Sequence, residues 1–512
     1  MKQRSRTEYS FLNIYINLLG YGINLILSFV CRMIFARLLA PEYLGISGLF
    51  SNILSMLSLT ELGVGTAIVY ALYKPIAQND REKITAIMQF YGKAYKLIGC
   101  SVAVFGLCLL PFLDYIIGQQ PAINENLKVI YLLYLFNSAS SYFFSYRSTI
   151  LTASQRNYIV TTINYLMVIV QDIVQIVILF ITQNFMLYLI IQIICGLITN
   201  ILISEKAKKD YPYITEKNSK HLSKDEIREI AKNVKALTVT KLSGILVNNT
   251  DNIVITYFNG LVTTGASSNY TLLTGMLSTM LNLVFGSVSA SVGSVNATEN
   301  NDTKYKVFKA LNLASFWLYG WATVGIIVVS GDVIKLLFGN QYVLNESIPI
   351  VLAINFFMVG MQSIVLNYKS TMGLFKYGQY LLLVTAGINI AGDIILAPYF
   401  GVFGIFFATT IARLVTNVWY DPYAVFKYGL QRNVLDYFKI YVKYLLVLLA
   451  ATLVSYDICR SMKLMLVPQI IVSIVICSIV FNVIFLFMFR KKEEFLYLKD
   501  KCMNHINKIR DK

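Results

Sequence analysis

Residues 23–46, INLILSFVCRMIFARLLAPEYLGI, are apolar enough to cross a bilayer, yet Arg32 stands inside the run and Arg37 near its end. An arginine at the middle of a lipid-embedded helix costs roughly 2.5–3.5 kcal/mol even on the most lenient insertion scale. A guanidinium held there suits one task above others: bidentate binding of a phosphate or carboxylate away from bulk water. Few other ionisable residues lie at membrane depth: Glu61, Asp172, Asp251, Asp393 and Arg413, with Arg147, Lys241 and Lys369 near span ends. Such charges usually face a bundle interior or a watery cavity and mark substrate or ion pathways. Against that stands a structural reading, in which each is an ion pair within the bundle or a long side chain reaching the headgroups.

Arg32 and Arg37 are five residues apart, so they point roughly 140° away from each other around a helix. Arg37 sits at a rim beside APEY, where it can reach water, whereas Arg32 needs a cavity. Asp251 lies in LVNNTDNIVITYF, where Asn248, Asn249, Thr250 and Asn252 surround a carboxylate in a helix otherwise fit for lipid. That cluster can hydrogen-bond a sugar or a charged partner, or it can glue helices together. Arg413 in FFATTIARLVTNVWYDPY is a second mid-span cation. Glu61 in SLTELGVGTAIVY either pairs with an arginine or carries a coupling ion; Asp172 and Asp393 rank below these.

The elements that must position these residues follow from composition. The 512-residue chain is 56% hydrophobic and 14% charged, against about 25% charged in an ordinary soluble domain. Apolar runs long enough to span a bilayer recur from end to end, which predicts an all-α polytopic membrane protein. The alternating ten-residue segments of a β-barrel are absent. The net charge of +17 does not imply nucleic acid, because lysine and arginine in the loops of one side set membrane orientation. The seven cysteines are scattered and only two histidines exist, so neither a disulfide framework, a metal site nor a His-based catalytic group is expected. No GxxxxGK[ST] phosphate loop is present and no cofactor is expected.

Fourteen spans are predicted near 11–36, 43–70, 95–117, 128–150, 158–182, 185–204, 237–258, 265–295, 310–338, 347–368, 377–398, 402–425, 438–457 and 465–489. The first has no small-residue cleavage site and is expected to be retained. Basic residues gather in alternate loops when both termini are cytoplasmic. The stretches 35–55 and 255–275 each end a helix, turn tightly and start another, which predicts two related halves. The expected organisation is a six-helix bundle over 1–204, a cytoplasmic linker over 205–236 and a second six-helix bundle over 237–430. Residues 431–512 add two further helices and a basic tail.

RMIFARLLAPEYLGISGLFSNILSMLSLTELGVGTAIVYALYKPIAQND, YKSTMGLFKYGQY and ARLVTNVWYDPY together resemble the bacterial polysaccharide flippases of the Wzx type. These belong to the multidrug/oligosaccharidyl-lipid/polysaccharide exporter superfamily. The resemblance covers nearly the whole chain. It implies two pseudo-symmetric six-helix bundles plus two C-terminal helices in a bacterial cytoplasmic membrane. The implied activity is transport, not catalysis: an undecaprenyl-pyrophosphate-linked oligosaccharide moves from the cytoplasmic to the outer leaflet. Arg32 falls where such flippases carry a basic residue and Asp251 in their TDN stretch. Arg32, Arg147 and Arg413 are then the phosphate counter-charges. Asp251, Glu61, Asn248 and Asn249 are the candidates for sugar contact or ion coupling. Bilayer lipids are implied partners, as are a polysaccharide polymerase and glycosyltransferases by family alone. A lipid II flippase and a drug/cation antiporter of the same superfamily share the expected fold. A membrane glycosyltransferase or polymerase fits less well, because the external loops are short and nearly free of acids.

Overall fold

The computed structural model describes residues 6–58, 63–118, 121–216, 222–232, 234, 238, 249–374, 376–378, 380–462 and 464–510. Every regular element among them is helical. They fall into two compact units, Met1–Gly265 and Ala266–Lys512.

The first unit opens with α1 (Arg6–Leu38) and α2 (Pro41–Leu57), joined by only two residues. Pro41 suits the first turn of α2 because its missing N–H would have no helical partner there. After α3 (Val64–Ala77) comes α4 (Arg81–Leu109), capped by the Asp80 carboxylate, which accepts from Lys83 N–H at 3.0 Å. A 3₁₀ turn leads into α5 (Leu113–Ile117), followed by α6 (Leu127–Ser145) and α7 (Ser148–Ala153). The long α8 (Asn157–Thr182) and α9 (Phe185–Asp210) form a hairpin. Gln183 supplies its left-handed turn, and Asn184 caps α9 by accepting from Leu187 N–H at 3.0 Å.

Two later stretches fold back on themselves at a glycine. In α10 (Asp251–Ser287) the helix breaks at Gly260, whose φ of 82° disfavours residues with a Cβ. The hydroxyls of Thr256 and Thr264 meet across the break at 2.9 Å. The stretches 35–55 and 255–275 thus both contain a helix, a tight turn and a helix. The start of α10's second arm touches α2: a Cβ on Gly45 would lie 1.9 Å from the Leu261 carbonyl oxygen, so only glycine fits.

In the second unit α11 (Ser289–Thr298), α12 (Asn301–Leu337) and α13 (Ser347–Thr371) precede α14 (Leu381–Val415), which breaks at Gly401, φ 55°. Thr385 bonds Thr416 at 2.8 Å and Asn389 bonds Thr409 at 3.1 Å, which requires the arms of α14 to run antiparallel. The chain closes with α15 (Asn417–Ala424), α16 (Leu435–Ser461), α17 (Leu466–Phe489) and α18 (Glu493–Arg510). Phe316 of α12 stacks on Tyr444 of α16 at 4.2 Å and meets Phe481, Phe485 and Phe489 of α17. The indole N–H groups of Trp317 and Trp321 donate to Asn482 and Ser478 of α17.

Nine helical stretches among the described residues are long and apolar enough to cross a membrane, or ten with the bent pair Asp251–Gly286 and Ser291–Thr298. One of the nine, Leu381–Leu430, contains the reversal at Gly401. Burial separates inner from outer helices. In α13, 78% of the apolar window is covered by protein, against 17% in α8, whose bare apolar sides suit lipid.

A polar segment packs on the start of α4. Thr85 donates to the Tyr213 carbonyl at 3.0 Å and Gln89 to that of Glu216 at 2.9 Å. Beyond it, Ser223 and Glu226 form a capping box for a helix over 224–232, and Glu226 also pairs with Lys83 at 2.6 Å. The Lys83 ammonium, aided by the Ser223 N–H, holds the Glu226 carboxyl down at about 2. A depressed carboxyl pKa stabilises the folded form above its unfolded value, and the effect is lost as pH falls through the folded one. Local docking of this helix is therefore expected to weaken between about pH 4.5 and pH 2. A fluorophore on the segment would report the release, and Glu226→Gln would remove this pH step.

Candidate functional site

Arg32 lies on α1 one turn after Ser28, so the two share a helix face. That region of α1 meets a polar stripe on α8. The Ser28 hydroxyl donates to Asp172 Oδ2 at 2.6 Å, and the Cys31 thiol reaches Gln175 Oε1 at 3.9 Å. Gln175 in turn donates to the Tyr188 carbonyl on α9 at 3.0 Å. Asp172 is 5% exposed and Gln175 fully buried, while Arg32, one turn along α1 from Ser28, is half-buried, so it adjoins a buried polar network. Arg32 lies within electrostatic range of the phenols of Tyr134 and Tyr188. From Tyr134 the polar line runs on to Ser47 at 3.0 Å, to the Tyr43 carbonyl at 2.8 Å, and through the Tyr43 hydroxyl to Glu125. Arg37, by contrast, is exposed.

Arg147 occupies a different level. It follows α6, its Nη1 donates to Ser204 on α9 at 2.6 Å, and its guanidinium covers the Tyr146 ring at 5.1 Å. Tyr134 and Tyr146 are twelve residues apart on α6 and its end, and Tyr188 and Ser204 sixteen on α9. At 1.5 Å per residue the two arginines therefore engage these helices about 18–24 Å apart along their axes. One compact cluster does not contain both.

Asp251 is the first residue of α10, where its charge complements the partial positive charge of the helix start, and Asn249 stands two residues before it. Both are half-buried. Arg413 is half-buried in the last turn of α14. Glu61, Asn248 and Lys241 lie outside the described residues.

Two aspartates ranked low on sequence grounds are deeply buried. Asp172 has been described; Asp393 is 0% exposed and accepts from Asn389 Nδ2 at 3.1 Å, while Asn389 also donates to Thr409 across the α14 hairpin. The Asp393 carboxylate can exchange a proton, and its oxygens with the Thr409 hydroxyl are hard donors of the kind that hold a hard cation. The sequence signal was present in NIAGD, where Asn389 and Asp393 are four apart and share a helix face. A third deep acid, Asp421 of α15, pairs with Lys369 of α13 at 2.6 Å. No group of three or more histidines, cysteines or acids able to hold a metal occurs among the described residues.

Comparison with solved structures places this fold. The lipid II flippase MurJ, in an inward closed conformation, superposes with a TM-score of 0.66 at 14% identity, covering 93% of this chain and 99% of that one. An inward-facing multidrug resistance MATE family transporter of the MOP superfamily gives 0.55 at 12% identity, covering 80% and 95%. A MATE transporter of Vibrio cholerae gives 0.52 at 13%, covering 84% and 99%. No curated protein matches the sequence. The sequence model of one family, described as polysaccharide biosynthesis protein, matches residues 34–349. That stretch takes in Arg32's neighbours on α1 and runs through both glycine-free and glycine-broken helices to the start of α13, and the chain belongs to this family of polysaccharide biosynthesis proteins.

Proposed function

We propose that the protein is a flippase that moves a polyprenyl-pyrophosphate-linked oligosaccharide from the cytoplasmic to the outer leaflet of a bacterial cytoplasmic membrane. The observation that carries this reading is Arg32, a cation at the edge of a buried polar network in a chain of a polysaccharide biosynthesis family. A pyrophosphate and its sugars cannot enter hydrocarbon unaided, because desolvating an ion costs several kcal/mol even after relaxation. In this reading Arg32 and Arg413 replace water around the phosphates, and the polyprenyl tail stays in lipid. Asp251 and Asn249, with Glu61 and Asn248, contact sugars or a coupling ion.

In this reading the chain makes fourteen passes. Both termini are then cytoplasmic, and the halves 1–204 and 237–430 rock between inward-open and outward-open states about the substrate. An inside-negative potential favours outward movement of a dianion by roughly 4.6 kcal/mol per 100 mV if both charges cross the full field. Return of a proton or a cation is the second source of drive. The buried Asp393 carboxylate, held by the Asn389 amide across the α14 hairpin from Thr409, is our candidate place for it.

The test uses liposomes holding the full chain and a fluorescent polyprenyl-pyrophosphate oligosaccharide, with headgroup exposure followed by a membrane-impermeant quencher. Flipping of this substrate, with none of a cationic drug, is the expected result. Drug export without lipid flipping would overturn the proposal in favour of an antiporter, and lipid II as the preferred substrate would assign the peptidoglycan branch. Asp393→Asn is expected to abolish any acceleration by an ion gradient while leaving the response to membrane potential. If the gradient still accelerates that variant, coupling runs elsewhere.

A further inference from the structure

The first unit contains a second cationic feature, separate from the Arg32 network. A recess of about 300 Å³ lies where α4, the turn after α6 and the segment after α9 come together. Its polar lining is Gln89, Lys93, Lys96, Tyr146, Arg147 and Thr215, with no acid among the residues that line it. That volume lies at the lower end of the range for small-ligand pockets, which run from about 300 Å³ upward.

The arginine is positioned before any ligand arrives. Gly92 lets the Tyr146 ring lie directly on α4, since a Cβ there would stand 3.0 Å from the ring. The ring carries the Arg147 guanidinium, and the buried Ser204 hydroxyl holds one of its nitrogens at 2.6 Å. Arg147 also lines the recess. Lys93 and Lys96, both exposed, stand on the opposite wall. A planar guanidinium with two mobile ammonium groups, and no carboxylate among the described lining residues, is the chemistry of a phosphate site.

Depth agrees. The stretch Arg81–Ile117 has 37 residues, and a hydrocarbon core takes about 20 of them. Counting back from Ile117 leaves Lys93 and Lys96 just beyond the core, at headgroup level. Independently, α6 has 19 residues, so it spans about 28 Å and delivers Tyr146 and Arg147 to the same level. We infer that this recess binds the phosphate of a lipid headgroup in the leaflet facing the lysine- and arginine-rich loops. The inference goes beyond the transport reading, because a lipid phosphate can dock here whatever crosses the membrane.

Two lipids offer that chemistry, an ordinary anionic phospholipid and the diphosphate of a polyprenyl carrier. Native mass spectrometry of the detergent-purified full chain would count adducts of phosphatidic acid, decaprenyl diphosphate and, as control, phosphatidylcholine. Lys93→Gln/Lys96→Gln changes only exposed side chains and is expected to lower adducts of a phosphate lipid about 25-fold, since each basic residue near an anionic headgroup is worth roughly a fivefold gain. Arg147→Lys keeps the charge but loses the fork, and is expected to lower them several-fold. Phosphatidylcholine should not change. Loss confined to phosphatidic acid assigns bulk phospholipid, and loss confined to decaprenyl diphosphate assigns the carrier. Unchanged phosphate-lipid adducts in both variants, or an equal loss for phosphatidylcholine, would overturn the site.

Discussion

Arg32→Ala should reduce the rate of lipid-linked oligosaccharide flipping by about two orders of magnitude, the scale of losing a desolvated charge-assisted contact worth 2–5 kcal/mol. The argument is one of differential solvation. The headgroup leaves water at the entrance and meets no water in the membrane interior, so the barrier is set by what replaces its hydration. Ser28 and Gln175 belong to the polar network beside α1, and Tyr134 lies within electrostatic range of Arg32, but a dianion needs a full counter-charge. Arg32→Lys keeps the charge and loses the planar fork, so it should retain part of the rate. Asp172→Asn gives the complementary control, because it removes the buried carboxylate that Ser28 holds while leaving the cation. Initial rates in the quenching assay, normalised to protein inserted, would measure all three. A rate in Arg32→Ala equal to that of the unaltered protein would remove Arg32 from the substrate path and leave it as a structural cation.

Sequence reading reached the local turns more readily than the pairings between distant segments. The loops FNGLVTTG and APYFG were expected between spans ending near 258 and 398, and the chain breaks within them at Gly260 and Gly401. Such turns are legible because glycine tolerates the positive φ that other residues avoid. Arg32 was legible too, since a charge in an apolar run is conspicuous without any structure. What could not be read is which polar face meets which. Ser28 and Asp172 are 144 positions apart, and helical periodicity gives a face without naming its neighbour. The surroundings of Asp393 were hidden for a related reason: Asn389 is visible one turn away, but Thr409 joins it only because the helix folds back at Gly401. Arg147 shows the opposite limit. Its residue type pointed to phosphate, yet its level in the bundle depended on where α6 ends and on Ser204 of α9.

Breaking the Lys369–Asp421 pair should destabilise the second unit by about 3–5 kcal/mol, because it leaves one buried charge without its counter-ion. The ammonium and carboxylate are 2.6 Å apart, with their side chains 15% and 3% exposed. Lys369 closes the last turn of α13, where a cation also complements the helix dipole, and Asp421 sits in α15, so the bond ties these two helices together. The turn over 376–378 packs against the same spot: a Cβ on Gly378 would stand 2.8 Å from the Tyr420 ring and 3.5 Å from Lys369 Nζ. Lys369→Met and Asp421→Leu are each expected to lower the midpoint of unfolding in a denaturant titration of the detergent-solubilised protein. The double variant Lys369→Met/Asp421→Leu should recover most of the loss, since two apolar side chains leave no charge to solvate. Flipping by the double variant then separates two roles. Retained transport makes the pair a fastener for α13 and α15. Lost transport in a protein of restored stability would mean that the charges are used in the cycle, either by exchanging partners as the helices move or by taking up the substrate's phosphate.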